Sequence, residues 1–185
     1  MMTEDMDLPE GLGERLNDPQ VAAHRIEEHG AIPNNPTLPL IVYAQAVSLP
    51  DGDPAAFFEA LFTENGWHGT WRNGVYGYHH YHSTAHEVLG VYRGSAQIQV
   101  GGDPGPVVEV KAGDVVVIPA GVAHKNLGDS GDLGIVGAYP GGQTWDMNYG
   151  KAGERPGADR NIANVEKPAH DPLYGANGPL LEHWT

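Results

Sequence analysis

Residues 74–94 read GVYGYHHYHSTAHEVLGVYRG, and residues 113–124 read GDVVVIPAGVAH. From residue 68 to about residue 139, short apolar segments such as these alternate with Gly, Pro, Asn and Asp. Short strands at such regular spacing are typical of a β-sandwich or a small β-barrel. The two stretches therefore predict an all-β fold.

The same stretches carry a group of metal-ligand residues. His80 and His82 stand two positions apart in a strand-like segment, so both side chains leave one face of a sheet. Glu87 follows after enough residues for a turn that aims its carboxylate back at the same point, and a tight turn before His124 can add a third imidazole. Three nitrogens and one carboxylate oxygen form a metal site of mixed, borderline-hard character.

The spacing of these residues resembles the two sequence motifs of the cupin superfamily. The first motif, G-x5-H-x-H-x4-E-x6-G, matches at Gly74, His80, His82, Glu87 and Gly94. The second motif, G-x5-P-x-G-x2-H, matches at Gly113, Pro119, Gly121 and His124. The family's second motif usually ends in Asn, where this chain has Gly128, but no metal ligand is involved there.

Longer segments, among them IPNNPTLPLIVY and DPLYGANGPLLEHW, look similar to the YjlB-like group of small single-domain cupins over nearly the whole chain. This resemblance implies a cupin-type jelly-roll β-barrel. It also implies a metal ion held by His80, His82, Glu87 and His124. The group has no established reaction, so the resemblance leaves the substrate open.

The sequence around the barrel predicts three regions in the chain. Residues 1–20 are polar and lack periodicity, which is typical of a flexible N-terminal arm, and residues 21–139 form the barrel with an N-terminal extension. Asp53-Pro54 followed by apolar residues at helical spacing predicts one short helix from about Pro54 to Asn65. Residues 140–185 are rich in Gly, Pro, Asn and Asp but keep large apolar side chains, so we expect a long C-terminal segment that wraps the barrel.

Composition excludes several classes of function. The chain has no cysteine, which excludes disulfides, thiolate nucleophiles and Cys-ligated metal sites. Its formal net charge of −14 disfavours nucleic acid and anionic membrane surfaces as partners. No apolar stretch approaches a membrane span, and the N-terminus lacks a secretory signal, so the sequence predicts a cytoplasmic protein.

The ligand set narrows the choice of metal. Four protein donors leave two positions of an octahedron open, which suits Fe(II), Mn(II), Ni(II) or Co(II) better than tetrahedral zinc. Zinc or nickel can still occupy the site in purified protein. The open positions predict a bidentate small-molecule substrate.

Five further residues are candidates for chemistry near the metal. Tyr76 and Tyr78 share strand parity with the histidines and are candidate catalytic residues in the inner wall, with core packing as the alternative. His86 is a third catalytic candidate, with a turn-exposed or supporting position as its alternative. Arg72 and Asn126 are candidate substrate-binding residues, and a salt bridge is the alternative for Arg72.

The sequence favours a metal-dependent enzyme that acts on a small polar organic molecule, with dioxygenase or isomerase chemistry. Two alternatives stay open: a non-catalytic binding or sensing protein, and a barrel that the metal only stabilises. Small cupins commonly form homodimers through strand exchange or sheet extension, so the resemblance implies a homodimer in which Ile41, Val42 and the neighbouring N-terminal strand supply the edge.

Overall fold

The structure, a computed structural model, describes residues 11–185. Its regular elements, after a 3-10 turn at Gly13–Arg15, are β1 (Gln20–His24), β2 (Leu40–Ala44), α1 (Pro54–Glu64), β3 (Trp67–Asn73), β4 (Glu87–Arg93), β5 (Ser95–Val100), β6 (Val107–Lys111), β7 (Val115–Ile118), β8 (His124–Asp129), β9 (Gly134–Pro140), α2 (Gly157–Asn164) and α3 (Pro179–His183).

The strands form two antiparallel sheets. The larger sheet has six strands in the order β1-β2-β7-β4-β9-β3, and the smaller has three in the order β6-β5-β8. Sequence neighbours often lie far apart in these orders, so the chain crosses repeatedly between the sheets, as in a jelly roll. The predicted all-β, jelly-roll fold is confirmed.

Both faces of the large sheet are buried. In β2, Leu40 and Val42 pack towards the small sheet, whereas Ile41 and Tyr43 pack in a second core. Helix α1 and the C-terminal segment cover that second face. This explains why β2 and β7 are apolar at every position instead of alternating with polar residues.

Helix α1 forms where the sequence predicts it. The Asp53 side chain accepts a hydrogen bond from the Ala56 amide at 3.1 Å and caps the helix. Phe58 packs directly on Gly90 of β4, where an added Cβ atom would stand 2.7 Å from the Phe58 ring. A side chain at position 90 would therefore displace the helix.

The C-terminal segment contains two helices that the sequence analysis did not predict. Helix α2 buries only Ala158 and Ile162, and α3 has five residues, so neither gives a clear helical pattern. Within residues 11–185, none of the helices has the length and apolar character needed to cross a membrane.

The C-terminal segment is held against the barrel by a buried carboxylate. Asp171 accepts a hydrogen bond from the Tyr43 hydroxyl at 2.5 Å and from the backbone amides of Leu173, Tyr174 and Leu180. Farther along, the indole of Trp184 donates to the Pro39 carbonyl at 2.8 Å. The C-terminal segment therefore packs against the barrel in an ordered conformation, as the sequence predicted.

The first ten residues of the predicted flexible arm lie outside the described residues. Within residues 11–20, Leu12 and Leu16 pack against the core, and the Asn17 amide donates to the Ala46 carbonyl at 2.9 Å. This end of the arm contacts the barrel.

Of the edge predicted for a homodimer, the N-terminal strand lies at the border of the sheet, whereas Ile41 and Val42 do not. Strand β2, which carries Ile41 and Val42, pairs with β1 on one side and with β7 on the other. Its hydrogen-bonding groups are therefore already used inside the sheet. The outer strand on this side is β1.

Candidate metal centre

Three buried histidines converge at one point between the sheets. Ligand nitrogens of His80, His82 and His124 lie within 4.8 Å of one another. The backbones of His80 and His124 form an isolated bridge, with amide-to-carbonyl distances of 3.3 and 3.0 Å. Their imidazole centroids are 4.1 Å apart.

Glu87 lies beside this cluster at the first position of β4. Its Oε2 atom is 3.2 Å from Nε2 of His82, and its Oε1 atom is 3.8 Å from Nε2 of His124. The side chain is 4% exposed, so its charge requires nearby compensation. The structure brings all four predicted ligands together, and their role as metal ligands stays a prediction.

Each of the three imidazoles is oriented by a contact with a backbone carbonyl oxygen. In each ring Nδ1 contacts a carbonyl oxygen, which can only accept, so Nδ1 carries a proton and Nε2 is the nitrogen that can bind a metal. For His80, His82 and His124 in turn, the acceptors are Tyr78 at 3.1 Å, Asp146 at 2.5 Å and Val122 at 3.1 Å. These contacts favour the tautomer that binds a metal through Nε2.

Burial keeps part of the cluster neutral. It holds the pKa of His124 well below its usual range, and the neighbouring His80 and His82 lower it further. Burial also lowers the pKa of His80. Burial opposes protonation of His82 as well, but the hydrogen bond and charge of Glu87 outweigh it and raise the pKa of His82. Neutral imidazole is the form that binds metals.

The cluster lies at the floor of an open cavity of about 410 Å³. Besides the four clustered residues, its wall consists of Gly69, Trp71, Arg72, Asn73, Gly74, Val75, Tyr76, Leu89, Tyr139, Trp145 and Met147. The Trp71 indole donates to the Tyr139 hydroxyl at 2.8 Å. Burial and the charge of Glu87 raise the pKa of Tyr139, so its hydroxyl keeps its proton.

Trp71 reaches the wall because β9 has a glycine beneath it. A Cβ atom at Gly137 would stand 2.2 Å from the indole ring. Only glycine permits this approach, which places the indole against the sheet and its N–H at Tyr139.

The expected inner-wall position is wrong for Tyr78. Tyr76 lines the cavity at its rim, 48% exposed, with its ring edge-on to His80. Tyr78 stacks outside Tyr76, at 5.0 Å between centroids, and does not line the cavity. The predicted strand ends at Asn73, so strand parity does not apply to either tyrosine.

His86 lies on the opposite face of β4 from the cavity. Its Nδ1 atom accepts a hydrogen bond from the Ala120 amide at 2.8 Å, and its ring packs 4.7 Å from that of Trp184. Burial lowers its pKa to about 4. The expectation of a turn-exposed or catalytic position is therefore corrected: side chains alternate along the chain, and Glu87 takes the inward face.

The two candidate substrate-binding residues make other contacts. Arg72 lies in the wall, but its guanidinium pairs with Glu59, 2.8 Å from Nε, and with Asp53 at 3.3 Å, which is the salt-bridge alternative. Asn126 does not line the cavity, so its position gives no support to the predicted substrate-binding role. Its amide turns along its own strand and donates to Asp129 at 2.7 Å.

The sequence analysis missed the contribution of the C-terminal segment to the site. Trp145 and Met147 close one side of the cavity. Between them, the Asp146 side chain accepts from the Ser83 amide at 2.6 Å, while its carbonyl contacts His82. The available signal was Trp145, a large apolar side chain in a segment rich in Gly and Pro. Nothing in the sequence showed which part of the barrel this segment packs against.

Asp146→Ala is expected to weaken metal binding about tenfold. The substitution releases the segment from Ser83 and so loosens the carbonyl that orients His82, and losses of roughly 10- to 100-fold are typical for such supporting contacts. Competition with a chromophoric chelator measures the affinity. Thr144→Ala removes an exposed side chain from the same segment and is the control. Equal affinities of the two variants would contradict the role of Asp146.

Two comparisons with known sequences identify the family of this chain. A family model described as "Cupin domain" matches residues 67–132. The protein named "Uncharacterized protein YjlB" of Bacillus subtilis (strain 168) is 46% identical over 158 residues, which cover 85% of this chain and 93% of that protein.

This chain belongs to the YjlB-like family of small cupins. Among solved cupin neighbours is acireductone dioxygenase from Bacillus anthracis with cadmium, at 18% identity and a TM-score of 0.40, covering 51% of this cupin and 65% of that chain. Another is Bacillus subtilis oxalate decarboxylase with Mn(II) centres, at 18% identity and a TM-score of 0.33, covering 61% of this cupin and 24% of that chain. This cupin spans less than two thirds of either solved chain.

The residues of the site fit a divalent metal ion. Three imidazole nitrogens meet beside a buried carboxylate, and the four donors supply nitrogen and oxygen only. The cupin therefore has a three-histidine cluster suited to a divalent metal.

Proposed function

We propose that this cupin is a metal-dependent enzyme that acts on a small organic molecule, with dioxygenase or isomerase chemistry. One observation carries the proposal: three imidazoles with metal-binding tautomers lie at the floor of a cavity open to solvent. A metal that only stabilised the barrel would need no such access. The open cavity thus favours an enzyme or a binding protein over a structural site.

His80, His82, Glu87 and His124 would hold the ion, and Fe(II), Mn(II), Ni(II) or Co(II) suits this donor set best. When bound, the ion supplies Lewis acidity or oxygen activation. Four protein donors do not complete the six positions that these ions prefer, so a bidentate substrate can be bound as well.

We assign proton handling to the tyrosines that reach the cavity. The Tyr139 hydroxyl accepts from Trp71 and keeps its own proton, so it can act as a hydrogen-bond donor to Glu87 or to a ligand oxygen. Tyr76 stands at the rim above His80. Tyr78 and His86 do not line the cavity, so their predicted catalytic role has no support from their positions. Trp145 and Met147 exclude water from one side.

Turnover separates the enzyme from a non-catalytic binding or sensing cupin. Fe(II)- and Mn(II)-loaded protein is incubated with a metabolite mixture, and compound loss and oxygen uptake are followed against metal-free protein. We expect at least one compound to be consumed only by a metal-loaded form. Stoichiometric binding of a compound without consumption in either form would reject the enzyme and favour the binding protein.

A homodimer is a further proposal, now through β1. Within residues 11–185, Gln20–His24 pairs with β2 alone, so its outer edge can extend the sheet into a second copy. Sedimentation at micromolar concentration is expected to show a dimer, and a compact monomer would contradict this. The cytoplasmic location is likewise a proposal, which cell fractionation would test.

A further inference from the structure

The wall above the histidine cluster is dominated by rings and aliphatic side chains. Its aromatic members are Trp71, Tyr76, Tyr139 and Trp145, and its aliphatic members are Val75, Leu89 and Met147. The Tyr139 and Trp145 rings are nearly parallel, with an angle of 26° between their planes. Such faces favour a flat, apolar ligand body over a highly hydrated one.

The cavity also has little positive charge to offer a ligand. Of the described residues that line the cavity, Arg72 is the only Lys or Arg, and its guanidinium is engaged by Glu59 and Asp53. Glu87 contributes one negative charge at the floor. With a divalent ion bound, the floor carries a net charge of about +1, because the three histidines are neutral as ligands.

This balance limits the charge of the ligand. One negative charge would be compensated at the floor, whereas a second would lie uncompensated in a partly desolvated site. Within residues 11–185, no free guanidinium or lysine ammonium group lines the wall to pair with a carboxylate or phosphate distant from the ion. Dicarboxylates and phosphorylated compounds are therefore disfavoured.

We propose that the ligand of this cavity is a compact planar molecule with a conjugated or aromatic body. It carries two adjacent oxygen donors and at most one negative charge when bound. The cavity of about 410 Å³ suits one or two rings. This inference rests on the proposed function and narrows the small polar molecule predicted from the sequence to an apolar-bodied chelator.

Two probes of opposite character test the proposal. Tropolone is planar, has two adjacent oxygens and binds as a monoanion, whereas oxalate has two adjacent oxygens, two negative charges and no apolar body. Isothermal titration of Mn(II)-loaded protein gives each Kd, which is divided by the Kd of the same probe for free Mn(II). We expect this ratio to favour tropolone by at least tenfold, with retained Mn(II) checked by elemental analysis.

Variants of the cavity wall then test whether the wall causes the preference for tropolone over oxalate. Trp145→Ala should weaken tropolone binding at least fivefold and leave the oxalate Kd and the Mn(II) content unchanged, and Trp145→Phe should restore most of the affinity. Leu127→Ala removes an exposed side chain outside the cavity and should alter neither probe. A ratio that favours oxalate, binding of neither probe by Mn(II)-loaded protein, or equal losses of both in Trp145→Ala would overturn the proposal.

These outcomes differ from failure of the proposed function. Wild-type protein that retains no Mn(II), or that binds tropolone but consumes no compound, rejects the metalloenzyme. Protein that turns over a dianionic compound with Mn(II) bound rejects only the ligand class.

Discussion

His124→Ala is expected to remove almost all bound metal, because the metal affinity should fall on the order of 10²-fold or more. This loss exceeds the usual effect of substituting a residue that only supports a metal ligand. His124 is 2% exposed, and its Nε2 atom lies with those of His80 and His82 at the floor of the cavity. Alanine leaves two imidazoles and a carboxylate as donors at this point. Elemental analysis after desalting should give about one metal ion per wild-type chain and almost none for the variant.

His183→Ala is the matched control, because His183 is exposed on α3, away from the cavity. It should retain the wild-type metal content. Glu87→Gln keeps the shape of the carboxylate and removes its charge, so it tests the site without leaving a large void if His124→Ala folds poorly. Wild-type stoichiometry in both His124→Ala and Glu87→Gln would reject the four-residue ligand set.

Asp171→Ala is expected to lower the free energy of unfolding by about 3–5 kcal/mol, because several donors lose their acceptor and each buried donor left unpaired costs about 1–3 kcal/mol. Asp171 is fully buried and accepts four hydrogen bonds, from the Tyr43 hydroxyl and three backbone amides. Alanine removes the acceptor of all four donors, of which three make buried hydrogen bonds and the Tyr174 amide a partly buried one. At about 2–4 °C per kcal/mol for a chain of this size, Tm should fall by roughly 6–20 °C.

Urea unfolding measures the loss in the free energy of unfolding. Two further variants serve as comparisons for Asp171→Ala. Tyr43→Phe removes one donor and leaves the carboxylate with three, so we expect a loss of about 0.5–2 kcal/mol. Glu182→Ala changes an exposed carboxylate on α3 and should stay within about 0.5 kcal/mol of wild type. An Asp171→Ala protein less than about 1 kcal/mol below wild type would show that this carboxylate does not hold the C-terminal segment.

Much of the fold and of the metal cluster could be predicted because both depend on local spacing. Short apolar segments separated by turn residues predict strands, and Asp53-Pro54 predicts the start of α1, since each is specified by a few consecutive residues. The positions of His80, His82, Glu87 and His124 were predicted on the same basis, and the structure brings them together.

Predictions that extended strand parity beyond a real strand were wrong. Tyr78 was assigned to the inner wall, but the chain leaves the sheet after Asn73, and nothing in the local sequence marks that point clearly. Where β4 is a real strand, the alternation does hold at its start. Glu87 faces inward and His86 outward, towards Trp184.

The sequence by itself thus determined the strand-rich fold, helix α1 and the identity of the clustered donors, because short-range spacing fixes which side chains share a face. Only the tertiary structure decided the rest of the site. It placed Trp145 and Met147 over the histidines, turned the Arg72 guanidinium to Glu59, and set the Asp146 carbonyl against His82. These contacts join residues some 13 to 64 positions apart, and no local pattern specifies such pairings, because they follow from how the whole chain packs.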